Sequence, residues 1–263
     1  MLQSESSQET LAALKAMRRV ARWPSLPSQC AVCHSWPCAP VCAACVARFA
    51  DWPTYRCRTC AIGLSPGLTA KMKVPDQCNG CLRHSPPVDR TCAAVAYRYP
   101  WSSLIVQFKF GEQPGWAAFF ADLLLMQPDA AEAMSALGRG DWVVPLPLSA
   151  DRLAQRGFNQ AWELVHALAA VSRSAGSADA RLLLRIAHTR PQIQLPREQR
   201  LANVAQSFAV DPLRAADLRG RRVVLVDDVM TSGASVFSAA QALREAGAAH
   251  VTALVIARTE APD

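Results

Sequence analysis

The chain has 263 residues, of which 51% are hydrophobic and 19% are charged. This balance excludes disorder over most of the length, and no apolar run approaches the roughly 20 residues that a membrane-spanning helix requires. The formal net charge of +7 is unevenly spread, because residues 1–110 carry 13 Lys and Arg against 5 Asp and Glu, whereas the remainder carries 15 against 16. The basic excess belongs to the N-terminal part, which is compatible with nucleic acid binding.

The leader, residues 1–29, is polar and ends in the helix-breaking Pro24 and Pro27. Leu11 and Leu14 alternate with charged residues, which predicts a short surface helix rather than the apolar core of a signal peptide. We therefore expect a cytoplasmic protein without a membrane segment. In a reducing compartment its cysteines would bind metal rather than form disulfides.

All ten cysteines lie between Cys30 and Cys92, in a Pro-rich stretch with little periodicity. Four C-x2-C pairs, each suited to placing two thiolates on one tetrahedral ion, are formed by Cys30, Cys33, Cys42, Cys45, Cys57, Cys60, Cys78 and Cys81. Because each zinc takes four ligands and four thiolates leave no open position, the pairs predict two structural zinc ions within residues 30–90.

The pairing of these knuckles stays open in the sequence. Successive pairs would form two successive ribbons, whereas an interleaved arrangement would join the first pair to the third and the second to the fourth. Cys38 and Cys92 are expected to be ordinary small residues. His34 and His84 follow knuckle cysteines and are weaker alternative ligands.

From Cys92 onward, apolar strand-like and helix-like segments alternate, which predicts an α/β domain over residues 91–260. Strands are expected at residues 93–99, 142–148, 222–226 and 251–257. Helices are expected at residues 101–110, 115–126, 159–170 and 235–246. The last two strands are apolar on every face and flank a helix, which predicts a right-handed parallel unit.

The segment VVLVDDVMTSGAS (residues 223–235) brings Asp227 and Asp228 to the carboxyl end of a strand, where open α/β sheets bind ligands. The small residues that follow lead into a helix whose N-terminal amides can hold an anion; they are Thr231, Ser232, Gly233, Ala234 and Ser235. Carboxylates beside an anion site predict a sugar phosphate as ligand, although a plain turn with a helix cap is the alternative. No lysine follows the glycine, so the segment is not a Walker A loop.

This segment resembles the phosphoribosyl-pyrophosphate signature of type I phosphoribosyltransferases. Three further segments resemble blocks of the ComF family of competence-associated, phosphoribosyltransferase-like proteins. They are LIVQFKFGE (residues 104–112), VPLPLSADRLAQRGFNQA (residues 144–161) and HTRPQIQLPREQRLANV (residues 188–204). Together with the cysteine pairs, the resemblance extends in order from residue 30 to residue 258.

The resemblance implies a type I phosphoribosyltransferase fold, a mainly parallel sheet flanked by helices, behind an N-terminal double zinc ribbon. Asp227 and Asp228 would be the catalytic acids that contact the ribose hydroxyls, and the segment from Val229 and Met230 through residues 231–235 would bind the 5-phosphate. Pro145 and Leu146 would contact pyrophosphate with magnesium. The pyrophosphate side and a mobile loop would further include Arg152, Arg156, Asn159, Gln192, Arg200 and Asn203.

The resemblance also implies a function: binding of phosphoribosyl pyrophosphate or a related ribose phosphate during DNA uptake or handling in natural transformation. Partners would be DNA-uptake proteins and single-stranded DNA, which could stack on the ribbons at Trp36, Trp52, Tyr55, Arg56 and Arg58, unless these side chains pack around zinc. The alternative is an active phosphoribosyltransferase of nucleotide or DNA-nutrient metabolism, with an unknown acceptor and no direct DNA role. A structural adaptor is a third, weaker hypothesis.

Overall fold

The computed structural model describes residues 27–50, 55–64, 76–186 and 207–260. Most of the leader, including its predicted surface helix, lies outside the described residues. So do Trp52 and the predicted loop residues Gln192, Arg200 and Asn203.

Two short helices lie in the cysteine-rich region, α1 (Ala43–Phe49) and α2 (Asn79–Arg83). The α/β domain begins with β1 (Arg90–Ala96), α3 (Trp101–Phe110), α4 (Trp116–Leu125), α5 (Pro128–Ser135) and β2 (Trp142–Pro145). It continues with α6 (Ala150–Arg156), α7 (Gln160–Ser172), β3 (Ser177–Ala178), β4 (Leu183–Arg185) and β5 (Phe208–Val210). After a 3-10 turn at Ala215–Leu218 it ends with β6 (Arg222–Met230), α8 (Ala234–Glu245) and β7 (His250–Arg258).

The central sheet is parallel and has the strand order β1-β7-β6-β2-β3. β6 and β7 are long apolar strands because both of their faces are covered. Val224 and Val226 face a core with α3, α4 and α7, whereas Val223 and Leu225 face a second core with α8. This three-layer α/β arrangement confirms the predicted fold class.

Several predicted boundaries are wrong, and pairing between strands explains the main one. β6 does not stop at residue 226, because Asp227 pairs with Val255 and Met230 pairs with Arg258 across the ladder. The two acids therefore lie within the strand and not just beyond it. β1 starts at Arg90 rather than residue 93, and β2 ends at Pro145. The helix predicted at residues 101–110 is confirmed as α3.

The cysteine-rich region packs against the α/β domain. In the first half, Cys30 and Val46 belong to the same buried core as Trp101, whose Nε1 donates to the Phe49 carbonyl at 2.8 Å. In the second half, the edge strand β1 extends its pairing to the ribbon, since the Thr91 amide donates to the Arg58 carbonyl at 2.7 Å. Because burial of Trp101 depends on the ribbon, removal of the ribbon would expose part of the apolar core.

Candidate functional site

The cysteines converge in two groups of four, and in each group the Sγ atoms lie within 4.8 Å of one another. The first cluster is Cys30, Cys33, Cys42 and Cys45, and the second cluster is Cys57, Cys60, Cys78 and Cys81. Successive pairs therefore share a site, and the interleaved alternative is wrong. Cys38, Cys92, His34 and His84 belong to neither cluster within the described residues.

The donor geometry of both clusters fits zinc. The Sγ atoms of Cys33 and Cys42 are 3.6 Å apart, and those of Cys60 and Cys78 are 3.7 Å apart. Tetrahedral zinc with bonds of about 2.3 Å places two sulfurs about 3.8 Å apart. Hydrogen bonding with the Cys60 thiol, opposed by burial and helped by backbone amides, lowers the pKa of Cys57 to about 4. A thiolate is the form that binds the ion.

The acid pair lies near the end of β6, and its two members have different surroundings. Asp228 is buried, and its Oδ1 lies 2.9 Å from Lys109 Nζ in the last turn of α3. Asp227 Oδ1 accepts a hydrogen bond of 2.8 Å from the backbone amide of Asp228. Burial, followed by the charge of Asp228, raises the pKa of Asp227 to about 8. Asp227 therefore tends to keep its proton at neutral pH.

Lys109 was not among the predicted site residues, although it lies in one of the segments that resemble the ComF family. It is the basic residue in the last turn of a mostly apolar helix. Its placement depends on α7, because Gln160 Nε2 donates to the Lys109 carbonyl at 3.3 Å and Gln160 Oε1 accepts from Arg156 at 2.8 Å. The Arg156 guanidinium also lies 4.8 Å from the centroid of the Phe110 ring.

Residues 231–235, which the sequence predicts to bind phosphate and which we call the phosphate loop, turn directly from β6 into α8. Gly233 has a φ of +85°, and a Cβ there would lie 2.5 Å from Met230 Cε and 2.7 Å from the Phe237 ring. Only glycine accommodates this turn. Thr231 and Ser232 are exposed beside the positive N-terminus of α8, and Ser232 Oγ accepts a hydrogen bond of 3.3 Å from the Ala234 amide. The buried Met230 side chain supports the loop from below.

The turn after β2 approaches the acids from the neighbouring strand. Pro145 ends β2, and the Leu146 amide donates to the Val226 carbonyl at 2.8 Å. Asn159 caps α7 by accepting from the Ala161 amide, and its Nδ2 donates to the Leu146 carbonyl at 3.2 Å. Asn159 therefore holds this turn against the start of α7.

Basic side chains surround this end of the sheet. Arg152 on α6 is exposed and Arg156 is half-buried. Arg185, at the end of β4, was not predicted from the sequence. Although its side chain is exposed, partial desolvation and the nearby charge of Arg152 lower its pKa, and the charge of Asp227 acts in the opposite direction. We call the carboxyl ends of β2 and β6, with the phosphate loop and these basic residues, the carboxyl edge.

A cavity of about 520 Å³ opens at the other end of the sheet. We call this end, at the starts of β1, β6 and β7, the amino edge. The charged residues that line the cavity are Arg58, Asp89, Arg90, Asp129, Glu132, Arg222 and His250. Asp89 pairs with Arg244, and Arg90 pairs with Asp129. Because open parallel sheets bind ligands at their carboxyl ends, the carboxyl edge is the stronger candidate despite this cavity.

The ribbon residues proposed to contact nucleic acid differ in exposure. Trp36 and Tyr55 are 63% and 45% exposed, and Arg58 is also exposed. Arg56 is directed inward instead, because its NH1 donates to the Ala61 carbonyl at 2.7 Å. Among the described residues, no helix combines the length and apolarity needed to cross a membrane.

Comparisons with known proteins relate the chain to two groups of proteins. Residues 187–262 match the phosphoribosyl transferase domain. The chain is 34% identical over 183 residues to DNA utilization protein YhgH of Salmonella typhi, covering 69% of this chain and 78% of the relative. It is 30% identical over 182 residues to Competence protein F of Haemophilus influenzae, with the same coverage of both chains. Among solved structures, the allosteric regulatory enzyme of purine biosynthesis matches 55% of this chain and 25% of its own, with 19% identity and a TM-score of 0.33.

Proposed function

The chain belongs to the ComF family of competence-associated, phosphoribosyltransferase-like proteins, and on that basis we propose that it binds phosphoribosyl pyrophosphate, or a closely related ribose phosphate, at the carboxyl edge. The observation that carries the proposal is the acid pair, of which Asp228 is buried and Asp227 half-buried, beside a loop that turns at a glycine. The phosphoribosyl transferase match over residues 187–262 supports the same class of ligand.

Each part of such a ligand has a matching group. Asp227 and Asp228 would accept hydrogen bonds from the ribose hydroxyls, and the amides of the phosphate loop would donate to the 5-phosphate. Arg152, Arg156 and Arg185 would balance the pyrophosphate charge. Hydrogen bonds to charged groups contribute about 1.5–3 kcal/mol each, so the two acids alone would account for a large part of the affinity.

The acid pair also fits magnesium, because this ion prefers oxygen ligands and binds through one or two carboxylates together with substrate phosphates. Asp227 and Asp228 would hold it beside the pyrophosphate, where the ion would neutralise negative charge. Since Asp227 has a pKa of about 8 without ligand, binding of a cation would displace its proton. We therefore expect proton release when the ligand and magnesium bind near pH 7.

Calorimetry on the full chain tests this proposal. Phosphoribosyl pyrophosphate should bind in the presence of magnesium, and ribose 5-phosphate or pyrophosphate alone should bind more weakly because each fills half of the site. The measured heat should change between buffers of different ionisation enthalpy, which reports the released proton. Absence of binding at millimolar ligand would reject the proposal.

A role in DNA handling is the second part of the proposal. The relatives named for DNA utilization and for competence support it, and the exposed Trp36, Tyr55 and Arg58 provide aromatic and basic contacts on the ribbons. Binding of single-stranded DNA should weaken with salt, at a logarithmic slope of about −0.7 per phosphate contact. Anisotropy titrations of Tyr55→Ala and Arg58→Ala test this surface, with the exposed Arg139→Ala as the control.

Turnover is the alternative function that the same site supports. An active transferase would release pyrophosphate when an acceptor of unknown identity displaces it from the ribose at the carboxyl edge. Screening candidate acceptors for pyrophosphate release distinguishes this enzyme from a binding protein. Release that depends on Asp227 and Asp228 would favour the enzyme, and tight binding with no release across the screen would favour the binding protein.

A further inference from the structure

Arg258, the last residue of β7, joins the second cluster to the phosphate loop. Its side chain is buried, and its Nε donates to the Cys60 carbonyl at 2.8 Å. Its NH1 is within hydrogen-bonding distance of the Met230 carbonyl at 3.2 Å, of the Thr231 carbonyl, and of the carbonyl and hydroxyl of the neighbouring Thr259 at 2.7 and 3.1 Å. A buried guanidinium is costly unless its donors are satisfied, so Arg258 and these acceptors hold one another in place.

On the loop side, these bonds set the direction of two peptide groups. In a planar trans peptide, the carbonyl of one residue and the amide of the next point in opposite directions. The Met230 and Thr231 carbonyls face Arg258, so the amides of Thr231 and Ser232 point away from it. Those amides belong to the phosphate loop, so the hydrogen bonds of Arg258 set the direction in which they point.

On the ribbon side, the bonded carbonyl belongs to a metal-binding knuckle. Cys57, Cys60 and Cys81 are buried in one apolar cluster with Met230 and Val255. A zinc ion on the second cluster would fix the Cys60 thiolate and with it the adjacent carbonyl. Without the ion, four cysteine side chains lie close together with nothing to hold them in a tetrahedron.

The first cluster provides the contrast. Its residues Cys30 and Cys45 pack into the core beside Trp101, and the Phe49 carbonyl accepts from Trp101. These contacts involve α3 and not the phosphate loop. The two zinc sites are thus chemically alike but attached to different parts of the α/β domain.

We infer that the second zinc site positions the phosphate loop through Arg258, so that metal occupancy of this site, and not of the first, controls the affinity for a ribose phosphate. The inference rests on the proposed function for its ligand. Arg258 is a positioning residue, because its contacts are with the loop backbone and not with the ligand.

Two measurements on the full chain test it: calorimetry with phosphoribosyl pyrophosphate and magnesium, and hydrogen exchange of the amides of residues 231–235 without ligand. Cys78→Ser, which disrupts the second cluster, should weaken binding at least about tenfold, the order expected for losing one charge-assisted hydrogen bond. The same variant should speed exchange in the phosphate loop. Cys33→Ser, which disrupts the first cluster, should have a several-fold smaller effect on both. Metal analysis should show one zinc fewer in each variant.

Arg258→Lys tests the link if Cys78→Ser does not fold. Lysine keeps the charge but cannot reach the Cys60 and Thr231 carbonyls with a fixed planar fork, so we expect a similar loss of affinity with both zinc ions retained. Arg244→Lys is the matched control, because Arg244 also donates to backbone carbonyls but at the amino edge.

The outcomes separate the inference from the proposed function. If wild-type protein binds no phosphoribosyl pyrophosphate but exchange in residues 231–235 still responds to the second cluster alone, the proposed function fails and the link stands. If wild-type protein binds and both clusters affect affinity and exchange equally, the proposed function stands and the link is wrong. Unchanged exchange in Arg258→Lys would also overturn the link.

Discussion

The two edges of the central sheet carry similar residue types in different physical states. At the amino edge, Arg90 and Asp129 form an ion pair whose side chains are 38% and 60% exposed. At the carboxyl edge, Lys109 and Asp228 form a pair whose side chains are 16% and 10% exposed. Asp227 adds a second, half-buried carboxylate beside this pair. The Lys109–Asp228 pair at the carboxyl edge is therefore held at a desolvation cost, whereas the Arg90–Asp129 pair at the amino edge is solvated.

This difference indicates that chemistry identifies the site better than cavity volume does. The cavity of about 520 Å³ belongs to the amino edge, yet its ion pairs are more exposed than the pair of Lys109 with Asp228, both for Arg244 with Asp89 and for Arg90 with Asp129. A site that must bind a charged ligand keeps charges buried and only partly compensated. Matched changes at the carboxyl edge and the amino edge should therefore have unequal effects.

The largest expected effect on stability comes from Lys109. Lys109→Met leaves the Asp228 carboxylate buried beside Asp227 without its cation, which should lower the free energy of unfolding by about 2–4 kcal/mol. The matched Arg90→Met removes an exposed pair and should cost about 1 kcal/mol or less. Urea denaturation at pH 7 measures both. Equal losses would show that the two edges do not differ in burial of charge.

The next effect on stability is expected at Gly233 in the phosphate loop. Gly233→Ala places a Cβ 2.7 Å from the Phe237 ring at a positive φ, and the strain and overpacking together should cost about 2–4 kcal/mol. Gly220 at the amino edge also has a positive φ, of +71°, but nothing lies within 4 Å of its Cβ position. Gly220→Ala should therefore cost only about 1–2 kcal/mol. A larger loss for Gly220→Ala would contradict a tightly packed loop.

Substitution of Asp227 should stabilise the ligand-free protein, in contrast to the two destabilising substitutions above. The pKa of Asp227 rises from the ordinary carboxyl value of 3.8 to about 8 in the fold, so the folded state disfavours its charge. Stability should consequently fall as the pH rises from about 4 to about 8. Asp227→Asn removes this loss and should stabilise the ligand-free protein by about 1–3 kcal/mol at pH 8, with little difference near pH 4.

The exposed Asp129 at the amino edge is the control for this titration. Asp129→Asn should change stability by less than about 1 kcal/mol at either pH. Thermal or urea unfolding across the pH range measures both variants. If Asp227→Asn were less stable than wild-type protein at pH 8, the negative charge of the acid pair would have to be balanced by positive charge in the ligand-free fold, contrary to this prediction.

Local patterns predicted the parts of this molecule that depend on neighbouring residues. The C-x2-C spacing predicted both cysteine clusters, and the apolar run before Asp227 predicted the strand and the loop after it. The end of β6 was misplaced because Asp227 is a poor strand former on its own and stays in the ladder only through Val255 on β7.

Contacts between distant segments were not accessible in the same way. Lys109 reaches Asp228 from another element, and Arg258 reaches Cys60 across 198 positions. The spacing of these residues in the sequence does not predict the contacts, since they arise when α3 and the ribbon pack onto the sheet. The short helices α5 and α6 were missed because each has too few turns for an apolar stripe to stand out.

Affinity for phosphoribosyl pyrophosphate with magnesium, measured on paired double variants, tests the central claim most directly. Asp227→Asn with Asp228→Asn changes the carboxyl edge, and Asp129→Asn with Glu132→Gln removes two carboxyl charges from the amino edge. The carboxyl-edge variant loses two hydrogen bonds to charged groups, so its affinity should fall about 100-fold or more. The affinity of the amino-edge variant should match that of wild-type protein within about threefold. Equal affinity of the first variant and wild-type protein would contradict a ribose-phosphate site at Asp227 and Asp228.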